Sequence, residues 1–250
     1  MKKTTCDIDY GNQHIPLSVR KYEQKYVQEC GGWDIGLPHI SYANVEVEVA
    51  RFYYSFINLV GAKYILETGT NTGYSTAMIA AALSIKDPDG VLYTIDINNI
   101  PKIFENEDFT NVRFLIGNSI TVSIPDNVQF DILVIDSDHS YSTVMRELIR
   151  FEPLLKTGGY ILMHDTHYFD GVGLAVSQLC DNPRFEKITL EAPRYHPNGR
   201  CTGVSIIRKN NEGIPLLFFD DEYAAVNVYE DETATGIQES YINKRRQRRL

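Results

Sequence analysis

The sequence predicts an α/β protein with a doubly wound, mostly parallel seven-stranded sheet that closes with a C-terminal antiparallel strand pair. Three observations predict it. Short apolar runs alternate with helical patterns from Tyr64 to Met163. The runs are apolar throughout rather than at every second residue, as in strands covered on both faces. They stop at acidic residues or an acid–histidine pair: Glu67, Asp96, Asp136 and His164-Asp165. Strand–helix–strand connections of this length imply right-handed crossovers with helices on both faces.

The elements follow in order. The lead-in is irregular through Gly31-Gly32-Trp33 and Gly36-Leu37-Pro38, with one short helix around Leu17–Glu29. Val45, Val49, Phe52, Phe56, Leu59 and Val60 repeat at helical spacing, and Gly61 stops that helix. Tyr64-Ile65-Leu66 is a strand, Thr68–Gly73 a turn, and Tyr74–Ile85 an Ala-rich helix ended by Asp87-Pro88-Asp89-Gly90. Val91–Ile95 and Val112–Ile116 are strands, with a weak helix over Ile100–Asn106 between them. Phe130–Ile135 is a strand, Tyr141–Leu155 an amphipathic helix broken by Gly158-Gly159, and Tyr160–Met163 a strand. Gly171–Cys180 is the last helix, and Phe185–Leu190 with Thr202–Arg208 forms the closing pair.

Composition narrows the function. The 250 residues suit one large domain or two small ones, at ~100–200 residues each. A net charge of −9 argues against a nucleic-acid-binding body. No run reaches the ~18 apolar residues of a membrane span, and no apolar stretch follows Lys2-Lys3 as a secretory signal requires. The four cysteines lie far apart without a C-x-x-C pair, which disfavours a zinc knuckle or a disulfide scaffold and points to a reducing, cytoplasmic compartment. The basic end, Lys244 to Leu250, reads as a solvated tail, with an anionic partner as the alternative.

In an open α/β sheet, ligands bind outside the carboxyl ends of the strands. The first such end is the turn Glu67-Thr68-Gly69-Thr70-Asn71-Thr72-Gly73-Tyr74-Ser75. Its glycines permit positive φ and close approach, and the helix that follows offers free N–H groups. A dinucleotide would prefer G-x-G-x-x-G, which is missing. Asp96 closes the next strand about 20 residues further on, where an acid can accept from both ribose hydroxyls. Asp136, His164 and Asp165 form a third group, and His139 stands three residues after Asp136.

These residues carry a resemblance. Glu67–Ser75, Asp96, Phe130–Asp136 and Gly158-Gly159-Tyr160-Ile161-Leu162 resemble class I S-adenosylmethionine-dependent methyltransferases, over Ala62 to Arg208. Within that class, the glycine turn is similar to catechol and caffeoyl-CoA type O-methyltransferases. Ile135–Tyr141 and Gly158–Thr166 are similar to macrolide-sugar O-methyltransferases and cephalosporin-hydroxylase-like proteins. The resemblance implies a Rossmann-like methyltransferase fold and S-adenosylmethionine as cofactor. It implies Glu67, Gly69, Thr70 and Gly73 at the methionine end, and Ser75 on the cofactor carboxylate. Asp96 would sit on the ribose and Asn118 and Ser119 beside the adenine. Asp136 would serve cofactor, metal and catalysis together.

By the same resemblance Asp136, His164 and Asp165 would hold a divalent metal (Mg, Mn, Fe or Zn). His164 departs from the carboxylate expected there, and imidazole suits Zn, Fe, Mn or Ni better than Mg. His139 stands where the catechol-type enzymes have a lysine base, and a histidine titrates near neutrality. His167 is an alternative for either role. The chain then divides into a helical lead-in or cap (1–60), a cofactor-binding catalytic domain (61–209) and a C-terminal extension (210–250). Trp33, Tyr42 and Phe52-Tyr53-Tyr54 would cover the cofactor and shape the acceptor pocket, with the loop Ala192–Arg200 opposite.

The expected activity is methyl transfer to a hydroxyl of a sugar, phenol or polyketide. No nucleic-acid or membrane partner is expected, and a homo-oligomer stays open. A non-catalytic cofactor-binding protein of the same fold and a nicotinamide-dependent oxidoreductase are the rival readings.

Overall fold

The computed structural model describes residues 15–29, 45–99, 103–125, 127–191 and 201–211. In chain order the helices are α1 (Leu17–Glu29), α2 (Val47–Val60), α3 (Tyr74–Lys86), α4 (Tyr141–Phe151) and α5 (Asp170–Cys180). The strands are β1 (Tyr64–Thr68), β2 (Val91–Asp96), β3 (Val112–Ile116), β4 (Phe130–Ile135), β5 (Leu155–His164), β6 (Phe185–Leu190) and β7 (Val204–Lys209). They form one seven-stranded sheet in the order β3-β2-β1-β4-β5-β7-β6. The first five strands run parallel, while β7 is antiparallel to β5 and β6. The expected doubly wound sheet with its closing pair is therefore present.

Each central strand feeds two cores because its side chains alternate across the sheet. Ile65, Leu92, Ile132 and Val134 join α1, α2 and α3 in one apolar core. Leu66, Leu133, Ile135, Ile161 and Met163 join α4 and α5 in the other. The two helices before β1 thus share a core with the sheet, and the rings of Tyr26 on α1 and Tyr74 on α3 stack at 4.2 Å. Gly61 ends α2 in the left-handed conformation with its N–H on Ile57 O, as its position promised.

Three boundaries differ from expectation. Helix α4 stops at Phe151 rather than Leu155, because Pro153 has no N–H to continue the ladder and sits in a 3₁₀ turn over Glu152–Leu154. Gly158-Gly159 does not break a helix; both lie inside β5, whose register against β4 shifts between Phe130 and Ile132. A Cβ on Gly159 would lie 2.8 Å from Asp131 O, so the glycine serves this close strand approach. Of the weak helix expected over Ile100–Asn106, the described residues 103–105 are not helical. Ile103 and Phe104 are buried as loop anchors, and only a 3₁₀ turn over Asn106–Asp108 follows. Trp33, Tyr42, the loop Ala192–Arg200 and the basic tail lie outside the described residues.

The sequence runs outward from β1 to β2 and β3, then returns to β4 on the other side of β1. The topological switch point, where such sheets bind ligands, is therefore the crevice between the ends of β1 and β4.

Candidate active site

A cavity of about 510 Å³ opens over that switch point. This is a size that suits a small molecule or cofactor, for which ~300–1,000 Å³ is usual. Its wall takes residues from the carboxyl ends of all five parallel strands, from Gly69 after β1 to Asp165 after β5.

The glycine turn is held from beneath by Glu67, which is fully buried. Its carboxylate accepts from Ser75 Oγ and Thr76 Oγ1, both at 2.6 Å, and from Thr94 Oγ1 at 2.7 Å. Thr94 spends its hydrogen on Glu67, so Thr70 donates to Thr94 across their 2.6 Å contact. Burial raises Glu67 to about 7, although the three hydroxyls pull it down. Gly69 (φ 88) and Gly73 (φ 86) both need left-handed backbone. A Cβ on Gly69 would lie 1.9 Å from Asp136 O, so this glycine admits the exit of β4 as well.

Asp96 lines the cavity at the end of β2. Its Oδ2 accepts Asn71 N at 2.7 Å and its Oδ1 accepts Asn98 N at 2.8 Å. Each oxygen keeps a second lone pair, which is what a vicinal diol requires. Asn118 and Ser119 lie on the same wall after β3. Their turn is tied to α4 twice. Arg150 donates to Ser119 O and to Val122 O. Glu147 accepts from Ser137 Oγ at 2.6 Å and Thr68 Oγ1 at 3.3 Å, and burial raises it to about 7.

The part of the wall that follows β4 and β5 is ionic. His139 Nε2 lies 2.9 Å from Asp165 Oδ2 and 3.8 Å from Asp136 Oδ1. The His139 ring stacks on Phe169 with centroids 4.0 Å apart. Burial opposes its charge, but the nearby carboxylates of Asp136 and Asp165 win and raise it to about 10. His164 is buried, with Nε2 2.7 Å from Glu46 Oε2. Its Nδ1 lies 3.2 Å from Asp136 Oδ1 and 3.4 Å from Asp165 Oδ2. Burial again opposes the charge, and Asp165, Asp136 and Glu46 outweigh it, so the ring titrates well above the usual range. Burial would raise Asp165, yet the two imidazoles hold it below the usual carboxylate range.

Residues 66–166 match the model of a family described as a methyltransferase domain. Solved structures agree on the architecture. The O-methyltransferase TomG from Streptomyces achromogenes, crystallised with S-adenosylmethionine, is 18% identical with a TM-score of 0.56, over 81% of this chain and 95% of that one. An O-methyltransferase from Bacillus cereus, crystallised with S-adenosylhomocysteine, is 17% identical with a TM-score of 0.59, over 78% and 93%. This is the Rossmann-like methyltransferase fold. A search of curated proteins finds no match.

Against this methyltransferase fold the expected residues sort as follows. Gly69, Thr70, Ser75, Asp96, Asn118, Ser119, Asp136, His139, His164 and Asp165 all line the one cavity. Glu67 and Gly73 do not: the carboxylate is spent on the turn's hydroxyls, and the glycine sits at the N-cap of α3. Ser75 donates to Glu67. While that acid is ionised, Ser75 offers lone pairs rather than a hydrogen, which suits an ammonium and not the carboxylate expected.

The trio whose donor atoms could hold a cation differs from the expected one by one residue. Both ring nitrogens of His164 are committed to carboxylates, whereas Asp136, His139 and Asp165 bring donor atoms within 4.8 Å of one another. His167 turns to Cys201, with Nδ1 to Sγ at 3.4 Å, and is no part of the wall. Tyr53 and Tyr54 of α2 are core residues; from that region it is Val45 that lines the cavity.

Sequence reasoning missed Glu46 and Glu147. Glu147 did leave a signal. It falls between Val144, Leu148 and Phe151 on the apolar face of α4, where an unpaired carboxylate has no place. Glu46 left none, since Val45-Glu46-Val47-Glu48-Val49 alternates evenly and nothing marks one glutamate over the other.

Proposed function

We propose that the protein is an S-adenosylmethionine-dependent O-methyltransferase that acts on a hydroxyl of a small molecule with the help of a divalent cation. One observation carries the reading. A single cavity joins a nucleoside-type wall (Asp96, Asn118, Ser119) to an acid–histidine cluster (Asp136, His139, Asp165).

The residues fit both groups. Asp96 keeps free lone pairs for a ribose diol, and the backbone turns it bonds to are fixed. The oxygen–oxygen–nitrogen set of Asp136, Asp165 and His139 suits Mn, Fe or Zn better than Mg. When bound, the cofactor supplies an electrophilic methyl on sulfur, and the cation lowers the pKa of an oxygen ligand. The chain itself contributes position. Gly69–Ser75, Asp96 and the Asn118-Ser119 turn hold one reactant, and the acidic strand ends hold the other beside it. Such alignment is worth ~7–11 kcal/mol of a bimolecular barrier. His139, stacked on Phe169, keeps its proton while both carboxylates face it. To hold the cation with Asp136 and Asp165 its ring must give up that proton, so there it would serve as a ligand rather than as a base for the acceptor hydroxyl.

The test is transfer of labelled methyl from S-adenosylmethionine to a panel of hydroxylated sugars, phenols and polyketides, with and without EDTA. Transfer that EDTA removes and Mn²⁺ restores is the expected result. Tight cofactor binding without transfer to any acceptor would replace this reading by an accessory protein. Calorimetric binding of NAD in preference to S-adenosylmethionine would replace it by an oxidoreductase.

A further inference from the structure

We propose that Glu46 and His164 form a buried positioning pair that fixes the two acidic strand ends and ties the N-terminal helices into the reaction centre. The inference rests on the reading of that end of the cavity as the acceptor side.

Glu46 immediately precedes α2 and is 0% exposed. Both of its oxygens are used. Oε2 meets His164 Nε2 at 2.7 Å, across 118 positions of sequence, and Oε1 accepts from Thr202 Oγ1 just before β7. The other nitrogen of His164 faces Asp136 Oδ1 at 3.2 Å and Asp165 Oδ2 at 3.4 Å. The imidazole therefore bridges a carboxylate from the N-terminal region to the carboxylates that end β4 and follow β5. A ring bonded at both nitrogens cannot swivel, so it aims the two acids. Those same oxygens, Asp136 Oδ1 and Asp165 Oδ2, are the ones that face His139 on the cavity side.

Packing alone does not explain a glutamate at this position. Its neighbours Val45 and Val47 are buried and apolar, and a buried ionic group is often no better for stability than an apolar one of similar volume. Asp165 adds a second sign of constraint, since it holds a left-handed backbone (φ 58) that a non-glycine residue adopts at a cost. Strain of that kind persists where the surroundings over-determine it, and the His139 and His164 contacts do so here. The cofactor side is held by a different set of bonds, Ser75 to Glu67 and Asn71 to Asp96. The pair should therefore act on one half of the cavity and spare the other.

The experiment compares the full-length protein with Glu46→Gln, which keeps the shape but removes the charge, and with Thr202→Val, which frees one oxygen of Glu46 and leaves the charge. Three quantities are read: S-adenosylmethionine affinity and Mn²⁺ affinity by calorimetry, and the ring resonances of His139 in protein labelled with ¹⁵N-histidine. In Glu46→Gln, Mn²⁺ affinity should fall about tenfold and the His139 resonances should shift, with cofactor affinity within twofold of the parent. Thr202→Val should move the same two quantities by less, and it carries the test if Glu46→Gln does not fold. Parent-like Mn²⁺ affinity together with unmoved His139 resonances would overturn the proposal. So would a joint fall of cofactor affinity and melting temperature, which marks a merely structural role. If the parent binds no Mn²⁺ and methylates nothing while the His139 resonances still respond to Glu46→Gln, the reading of function fails and the positioning pair stands.

Discussion

A Cβ placed on Gly69 would meet the carbonyl oxygen of Asp136 at 1.9 Å, and that atom is backbone, with no flexible end to yield. Gly69→Ala must therefore push β1 and β4 apart where the cavity begins. A buried clash together with a φ of 88 is expected to cost several kcal/mol, at or above the ~1–3 kcal/mol of ordinary backbone strain. Thermal unfolding and cofactor affinity should fall together; an unchanged melting temperature would remove this account of the turn. Asp96 makes the contrasting case. Its bonds to Asn71 N and Asn98 N shape local turns, yet free lone pairs remain on both oxygens. Asp96→Ala should weaken S-adenosylmethionine binding by about 1.5–3 kcal/mol, the range of charge-assisted hydrogen bonds. Calorimetry decides it, and unaltered affinity would take the ribose away from this residue.

At the scale of elements, α4 does more than cover the sheet. Arg150 grips the turn after β3, and Glu147, nearly one turn before it, takes Thr68 and Ser137 at the ends of β1 and β4. Burial raises Glu147 from 4.5 to about 7. The folded state then holds an extra proton between these values. The associated stability is present below about pH 4.5 and is lost as pH rises through about 7. Relative to Glu147→Gln, the parent should lose on the order of 3 kcal/mol over that interval, at about 1.4 kcal/mol per pKa unit. Urea unfolding at pH 5 and pH 8 measures it, and parallel pH slopes for the two proteins would show that Glu147 is not raised. The same scale explains the boundaries the sequence hid. The apolar period of α4 continues to Leu155, but a proline without an N–H ends the helix at Phe151 and frees Leu155 to begin β5.

For the whole molecule, the site exists because five strand ends and the segment before α2 converge on one crevice. The helices α1 and α2 share a core with α3 and the sheet, so a ligand held at the switch point bears on a single packed body. A cofactor that binds only the folded state stabilises it by mass action, about 2.7 kcal/mol at a hundredfold excess over Kd. S-adenosylmethionine at that excess should raise the melting temperature in scanning calorimetry, and Asp96→Ala should lose most of the rise at the same concentration. A parent that melts identically with and without the cofactor would leave the cavity without its proposed occupant.

The sequence alone determined the fold and the list of side chains at the strand ends. Short runs apolar on both faces, alternating with helical patterns, suit a covered parallel sheet, and acids at their ends have no packing reason to be there. Asp96, Asp136 and Asp165 were legible for that reason, and His139 through the resemblance. Which of those side chains face one another was decided by the tertiary structure. Glu67 looks no different from Asp96 in the chain, yet its carboxylate is consumed by Ser75, Thr76 and Thr94. His164 precedes Asp165 and looks equally available, yet Glu46, 118 residues away, claims its second nitrogen. Local sequence sets which backbone each residue adopts. The direction of a buried polar group is set by whatever distant partner satisfies it, and that partner is known only when the chain has closed.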